Sequence, residues 1–400
     1  MLRINISNPV PCFEKRPRMK DEILHLDGNE CKQIPRLLFK YLLWTGIIQY
    51  PNQKIRYIFS SHILDILVLA ACLEIFFTIF VFSDTNHDKS TLAFLFSYIF
   101  TAAAWYMMRY KRKRVTRLLY DIKETNLTLQ RKKINTLVAI NCVLPMIIPA
   151  IMIYTMGDPE ILRYYIYGYN FNESKITITF MYMKICFLYM VHPSVNNIMC
   201  LLYTCLCWGC SVRINKLTNK MEQYSPEAFG LSEQLDILKR KKKINDALHK
   251  IQNAFSEQIF FTILANVFMC GCVTGSLLIK NFEELHFMMK LDDMYYLINS
   301  VSCVALTLWI VGCIPIEMKK FHHMLFQRTQ QRLLRCDSSA KELHLKIDFL
   351  KEPDFVMIGY DILPLSRSTI LPLIGTLFTY TVLFMAKSMP LRKLKSNDFF

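Results

Sequence analysis

Glycine is scarce in this chain, with 11 residues spread over a length of 400. No glycine-rich loop able to cradle a phosphate is present, no His-Glu-x-x-His pattern and no nucleophile elbow, so the commonest catalytic constellations are missing. Nine histidines and 14 cysteines never approach paired metal-ligand spacing. The adjacent His322-His323 pair would point in different directions on a helix. No enzyme activity, no metal and no cofactor is therefore expected. Acidic residues are also outnumbered, 32 against 48 Lys and Arg, which gives a net charge of +16.

What the chain has instead is long apolar runs. Its hydrophobic content is 53% and its mean hydropathy +0.23. A hydrocarbon core about 30 Å thick needs roughly 20 apolar residues per helix. Seven windows qualify: Tyr57–Phe82, Ser90–Met108, Ile134–Thr155, Ile176–Cys210, Phe255–Leu278, Met294–Glu317 and Arg367–Lys387. The fourth is long and interrupted by His192-Pro193, so it either kinks there or runs on beyond the bilayer. The first thirty residues hold no apolar core or small-residue cleavage site, so the first span is expected to act as its own insertion signal.

Basic residues set the expected orientation. The N-terminal segment holds ten, the loop after span two ten, the loop after span four nine, and the stretch after span six nine with Arg367 included. The loops after spans one, three and five hold one, two and two, and the C-terminal end four with Lys387 included. The basic side is the cytosol, which places the N-terminus inside and the C-terminus outside. The sequon Asn172-Glu173-Ser174 then falls in an outer loop, where Asn172 is a glycosylation candidate, whereas those at Asn5 and Asn126 fall inside. None of the cysteines falls in an outer loop, so they read as buried apolar residues. The charge of +16 needs no nucleic acid. Lys111-Arg112-Lys113-Arg114 and Lys239-Arg240-Lys241-Lys242-Lys243 lie just inside the membrane, where anionic lipid attracts each residue by about 1 kcal/mol. These runs read as topology determinants and lipid contacts rather than as a specific phosphoinositide site.

The expected fold is thus all-α and integral to the membrane, with seven helices and long helical extensions on the cytosolic side. Residues 1–56 form a cytosolic tail with a short interfacial helix within Cys31–Tyr50. Residues 57–317 hold the first six spans and the anchor helices. Residues 318–366 are a further cytosolic anchor segment, and residues 367–400 the last span with a short outer tail. Two inner segments, Glu227–Gln252 after Pro226 and Phe321–Leu345, repeat apolar residues at helical spacing. They suggest a cytosolic bundle that docks a soluble partner or holds subunits together.

Ionisable residues within spans are functional candidates. Glu74 and Lys184 lie at similar depth in the outer half, so they either pair or leave Lys184 to reach the outer interface alone. Asp65 sits in the inner half near His62. Tyr98, Tyr154, Tyr182, Tyr189, Thr274, Tyr296 and Asn299 are candidates to line an outward pocket for a small organic ligand, or to anchor helices at the headgroups.

The end of the chain, Tyr360 to Ser368 and on through Gly375-Thr376-Leu377-Phe378-Thr379-Tyr380, resembles the insect gustatory receptors. The signature of that family is Thr-Tyr, five apolar residues, then Gln-Phe; here Thr379-Tyr380 is followed by Thr381 to Met385 and then Ala386-Lys387. The resemblance implies a chemoreceptor for small tastants that works as a ligand-gated cation channel in the plasma membrane of a chemosensory neuron. It implies a homo- or heterotetramer joined through inner helices, a central pore lined by the last span, and a ligand pocket in the outer half of the first six. It also implies a helix over Lys346–Asp361 leading into the pore. Thr379, Val382, Leu383, Ala386 and Lys387 share one helical stripe, as a pore lining requires. Lys387 departs from the signature, because four lysines at the outer mouth repel cations; this favours a heteromer.

An odorant receptor of the same superfamily has the same architecture. A G-protein-coupled receptor conflicts with the charge bias, and lacks both an Asp-Arg-Tyr-like triplet after span three and Asn-Pro-x-x-Tyr in span seven. A secondary transporter usually shows matched broken helices. No internal repeat supports one here.

Overall fold

The computed structural model describes residues 35–48, 55–80, 89–124, 131–155, 175–279, 286–335, 355–376 and 379. Among them are α1 (Arg36–Trp44), α2 (Ile55–Phe80), α3 (Lys89–Tyr110), α4 (Arg112–Glu124) and α5 (Arg131–Tyr154). There follow α6 (Lys175–Val191), α7 (Ser194–Gln223), α8 (Leu231–Ile279), α9 (Phe287–Val311) and α10 (Cys313–Arg335). A hairpin of β1 (Ile358–Gly359) and β2 (Leu363–Pro364), a 3-10 turn (Arg367–Thr369) and a helical stretch at 370–376 complete the described chain. The architecture is a membrane bundle of long helices: six stretches among the described residues are long and apolar enough to cross a bilayer. Residues 377, 378 and 380–387 of the last expected span lie outside the described residues, and with them Tyr380, Val382, Leu383, Ala386 and Lys387, as does Asn172.

Burial follows the logic of a lipid-bathed bundle. On α2, Ile66, Leu69, Leu73, Phe76 and Phe80 are exposed in a three-and-four-residue stripe, while Leu64, Val68, Ala71, Ile75 and Ile79 face inward. An exposed apolar stripe of that length on a soluble protein would promote association; in a bilayer it is the lipid face. The stretch formed by α6 and α7 is the most enclosed. It breaks at His192-Pro193, where proline removes a backbone donor, and resumes at Ser194 for 30 residues.

The long α8 runs 49 residues without proline, so one rigid rod carries both a charged half and an apolar half. It packs most extensively against α3 and also meets α7 and α9. The charged halves of α7, α8 and α10 bury Met221, Ile237, Leu248 and Phe321 against one another, as the apolar periodicity of the inner segments implies.

Residues 346–354 of the expected helix over Lys346–Asp361 lie outside the described residues; its last part is not helical, since 355–357 carry no regular structure and 358–364 are a hairpin. Tyr360 and Asp361 both have positive φ (52° and 55°), which its tight turn requires at both central positions. Pro364 cannot continue a helical ladder, and Gly359 weakens one. Stacking of Tyr360 on Phe260 (5.6 Å between centroids) and hydrogen bonds from Ser256 and Gln252 of α8 to Ile358 O hold the hairpin in place.

After the hairpin, Arg367 is clipped onto the α9–α10 junction. Its guanidinium lies 4.1 Å from the Trp309 ring, and its Nη2 is 3.0 Å from Cys313 Sγ. Gly312 makes this approach possible. A Cβ there would sit 2.7 Å from the Arg367 backbone nitrogen and 2.9 Å from Leu308 O. Gly312→Ala is expected to lower stability by about 1–3 kcal/mol through overpacking, read as an earlier thermal transition of the purified protein. An unchanged melt would show that the junction yields freely.

Candidate functional site

A polar and aromatic cluster lies where α3, α6, α7 and α9 converge. From α3, Tyr98 meets Tyr296 of α9, with 3.2 Å between hydroxyls, and donates to Leu188 O of α6 at 3.3 Å. Tyr189 of α6 stacks on Tyr295 (4.6 Å) and meets Tyr296 edge-on (5.2 Å). Its hydroxyl donates to Asp292, one turn before Tyr296 on α9. Tyr98, Tyr189 and Tyr296 are buried, so three of the tyrosines singled out from sequence come together.

Beneath them the proline break contributes a second polar layer. The His192 ring stacks on Tyr296 at 6.0 Å, and its Nδ1 lies 2.9 Å from both Thr101 Oγ1 and Asn196 Nδ2. Thr101 donates its hydroxyl proton to Ser97 O at 2.8 Å. Nδ1 is thus engaged, while His192 Nε2, Asn196 Oδ1 and, elsewhere on α9, Ser300 Oγ are buried without a hydrogen-bond partner among the described residues. Unmet buried polar groups cost about 1–3 kcal/mol each. Such groups are few in folded proteins and are met by water, an ion or a ligand where the protein does not meet them.

A third layer is an amide chain across three helices. Asn197 of α7 donates to Asn141 of α5 and to Asn299 of α9, each at 3.0 Å. Asn141 in turn donates to Ser194 O at 3.1 Å, at the start of α7. This places Asn299, another sequence candidate, in the same convergence and ties it to the helix that follows the break.

The remaining candidates sit apart from this cluster. Glu74 of α2 and Lys184 of α6 form an ion pair of 2.7 Å, and Thr78 Oγ1 donates to Glu74 O at 2.9 Å. Tyr182 reaches across to α5, donating to Met146 O at 3.3 Å between Pro145 and Pro149. Thr274 turns back on its own helix, donating to Cys270 O at 2.7 Å. Tyr154 is 91% exposed at the end of α5. Thr379 donates to Gly375 O at 2.8 Å, as a threonine within a helix does.

Several members of the site escape a sequence reading. Asp292 falls outside an expected span beginning at Met294, although the real helix begins at Phe287. The Asp292-Asp293 pair directly before Tyr295-Tyr296 was the available signal. His192 reads as part of a helix break and Asn196 as an ordinary residue of a long span. Three polar residues at 192, 196 and 197 beside a proline in an apolar run marked a packed interior face.

No protein-family profile and no curated protein sequence matches the chain. Solved structures do. The insect olfactory receptor OR5 from Machilis hrabei aligns with a TM-score of 0.60 at 12% identity, covering 87% of this chain and 98% of the receptor. The same receptor in complex with eugenol aligns with a TM-score of 0.62 at 12% identity, covering 92% of this chain and all of the receptor chain. Over nearly its whole length, the chain has the fold of this insect olfactory receptor.

Proposed function

We propose that the chain is a subunit of a chemosensory, ligand-gated cation channel of the plasma membrane. A small organic molecule binds among the tyrosines and amides at the convergence of α3, α6, α7 and α9. Binding opens a central pore lined by the last helix of each of four subunits. The observation that carries this reading is the likeness in fold to a receptor solved with eugenol. The unmatched polar atoms of His192, Asn196 and Ser300 support it, because a ligand hydroxyl offers the hydrogen bonds that the protein does not. In this reading the N-terminus is cytosolic, the C-terminus outside, and the charged halves of α7, α8 and α10 form the tetramer anchor.

The Thr379-Tyr380 pair favours the gustatory branch. The olfactory identity of the structural neighbour favours an odorant receptor as the second reading. The two differ in ligand class, and an odorant receptor works with an obligate coreceptor.

The test is whole-cell recording with eugenol as probe, from cells expressing the chain alone and with related receptor subunits. A C-terminal epitope tag is stained first on intact cells. The expected result is a tag visible without permeabilisation, a small current from the chain alone, and a several-fold larger one for Lys387→Phe or with a partner subunit. Robust cation current from the chain alone, unaltered by Lys387→Phe, would sink the heteromer reading. A tag stained only after permeabilisation, in cells whose surface expression is shown separately, would overturn the channel assignment.

A further inference from the structure

We propose that the cleft between α4, α8 and the hairpin binds a phosphomonoester anion, the headgroup of a phosphoinositide lipid or a soluble inositol phosphate. The cleft has a volume of about 570 Å³, within the range of small-molecule sites. It sits at a boundary: α4 begins directly after the apolar α3, with only Lys111 between them, and it rests on α8 just before the apolar half of that rod. In the orientation proposed above this is the inner membrane surface, where anionic lipid headgroups lie.

The charges within the cleft divide into committed and uncommitted groups. Lys111 is buried and pairs with Glu257 at 2.8 Å, and Lys250 pairs with Asp121 at 2.5 Å. Those two pairs cancel and build the walls. Arg114 and Arg117 also line the cleft, three residues apart and thus on one face of α4. Both are exposed, and among the described residues neither has a carboxylate partner. Two guanidiniums on one face of a concave, lysine-walled site match a phosphomonoester, whose oxygens accept two parallel N–H bonds from each fork. The Lys239–Lys243 run on α8 gives the contrast: Lys239, Arg240, Lys242 and Lys243 line a cleft of about 510 Å³ together with Asp236 and Asp246, and Arg240 is committed to Asp236 at 3.0 Å.

The third uncommitted charge sets the consequence. Asp361, held in the left-handed turn of the hairpin, lines the same cleft. A bound anion neutralises Arg114 and Arg117 and repels Asp361, so occupancy acts on the segment that leads into the last helix. An electrostatic contact of this kind makes lipid or metabolite state an input to that helix, separate from the tyrosine cluster.

The experiment measures binding to the purified full-length chain in neutral-lipid nanodiscs, so it needs no current and stands apart from the channel reading. The probes are inositol trisphosphate and a short-chain phosphoinositide bisphosphate, with affinity and thermal shift as readouts. Arg114→Gln with Arg117→Gln is expected to weaken binding about tenfold or more. Lys242→Gln with Lys243→Gln, exposed and charge-matched on the far part of α8, is expected to leave it unchanged. Asp361→Asn removes the repulsion without straining the turn, since asparagine tolerates positive φ, and is expected to tighten binding several-fold. Arg114→Lys with Arg117→Lys keeps the charge and loses the fork, and is expected to fall between. Binding of both probes assigns the site to the phosphorylated headgroup alone; binding of the lipid probe only assigns it to the membrane surface. No binding of either probe, or equal loss in the arginine and lysine variants, overturns the proposal.

Discussion

Asp65→Ala is expected to destabilise the protein by about 3–5 kcal/mol, the cost of leaving one member of a buried ion pair alone. Arg109 Nη2 lies 2.8 Å from Asp65 Oδ2, and the arginine side chain is only 9% exposed. The same carboxylate accepts from Trp105 Nε1 at 2.8 Å, so its loss strands a donor on a fully buried tryptophan as well. The other arm of Arg109 donates to Gly46 O at 2.6 Å, in the turn after α1, where Gly46 has a φ of 71° that only glycine adopts cheaply. One guanidinium thus ties three elements together: the α1 turn, α2 and α3.

This network makes the prediction specific. Asp65→Asn retains an acceptor for Trp105 and loses the charge, so it is expected to cost less than alanine. Arg109→Ala is expected to cost about as much as Asp65→Ala. Asp65→Leu with Arg109→Met removes both charges and keeps volume, and is expected to recover much of the loss. Detergent-solubilised protein followed by size-exclusion melting reads each value. Additive losses in the double variant would show that the two residues act independently and that the pairing contributes little.

The same cluster shows where the sequence was legible and where it was not. Hydropathy located six helices that the structure contains, because a run of twenty apolar residues has few alternatives in any fold. The break at His192-Pro193 was legible for an equally simple reason: proline removes a donor that a buried helix needs. Arg109, by contrast, counted only as a topology charge, since a basic residue at a span end ordinarily reaches the headgroups. Nothing local distinguishes it from Lys113; only the proximity of α2, 44 residues away in sequence, turns it inward onto Asp65. Tyr98 and Tyr296 were visible as candidates, but their meeting depends on how α3 and α9 cross, which periodicity does not fix. The hairpin at 358–364 overlaps the last four residues of the helix that the resemblance implies, and Gly359 and Pro364 are its local signals.

Glu74→Gln is expected to be the second large effect, and it separates structure from ligand binding. The depth of the two residues in their spans suggested the pairing, and the structure brings Glu74 to 2.7 Å from Lys184 with the lysine side chain 9% exposed. Neutralising Glu74 alone removes the carboxylate that faces a mostly buried ammonium, while Thr78 keeps its hydrogen bonds on that turn of α2. A loss of about 3–5 kcal/mol follows, seen as reduced surface expression and an earlier melt. Exchanging the charges, Glu74→Lys with Lys184→Glu, keeps the attraction and is expected to restore both readouts in large part. Glu74→Leu with Lys184→Met replaces the pair by apolar groups suited to the bundle and is expected to be as stable as the original or nearly so. That last variant decides the role of the pair. If it melts normally and still responds to eugenol with partner subunits, the pair is a strut between α2 and α6. If it melts normally and the response is lost while Tyr98→Phe still responds, the pair itself holds the ligand, and the tyrosine cluster is packing. Tyr98→Phe removes one hydroxyl from a buried bond and is expected to cost only about 1 kcal/mol in stability. A failure to respond in that variant therefore reports on the ligand and not on the fold.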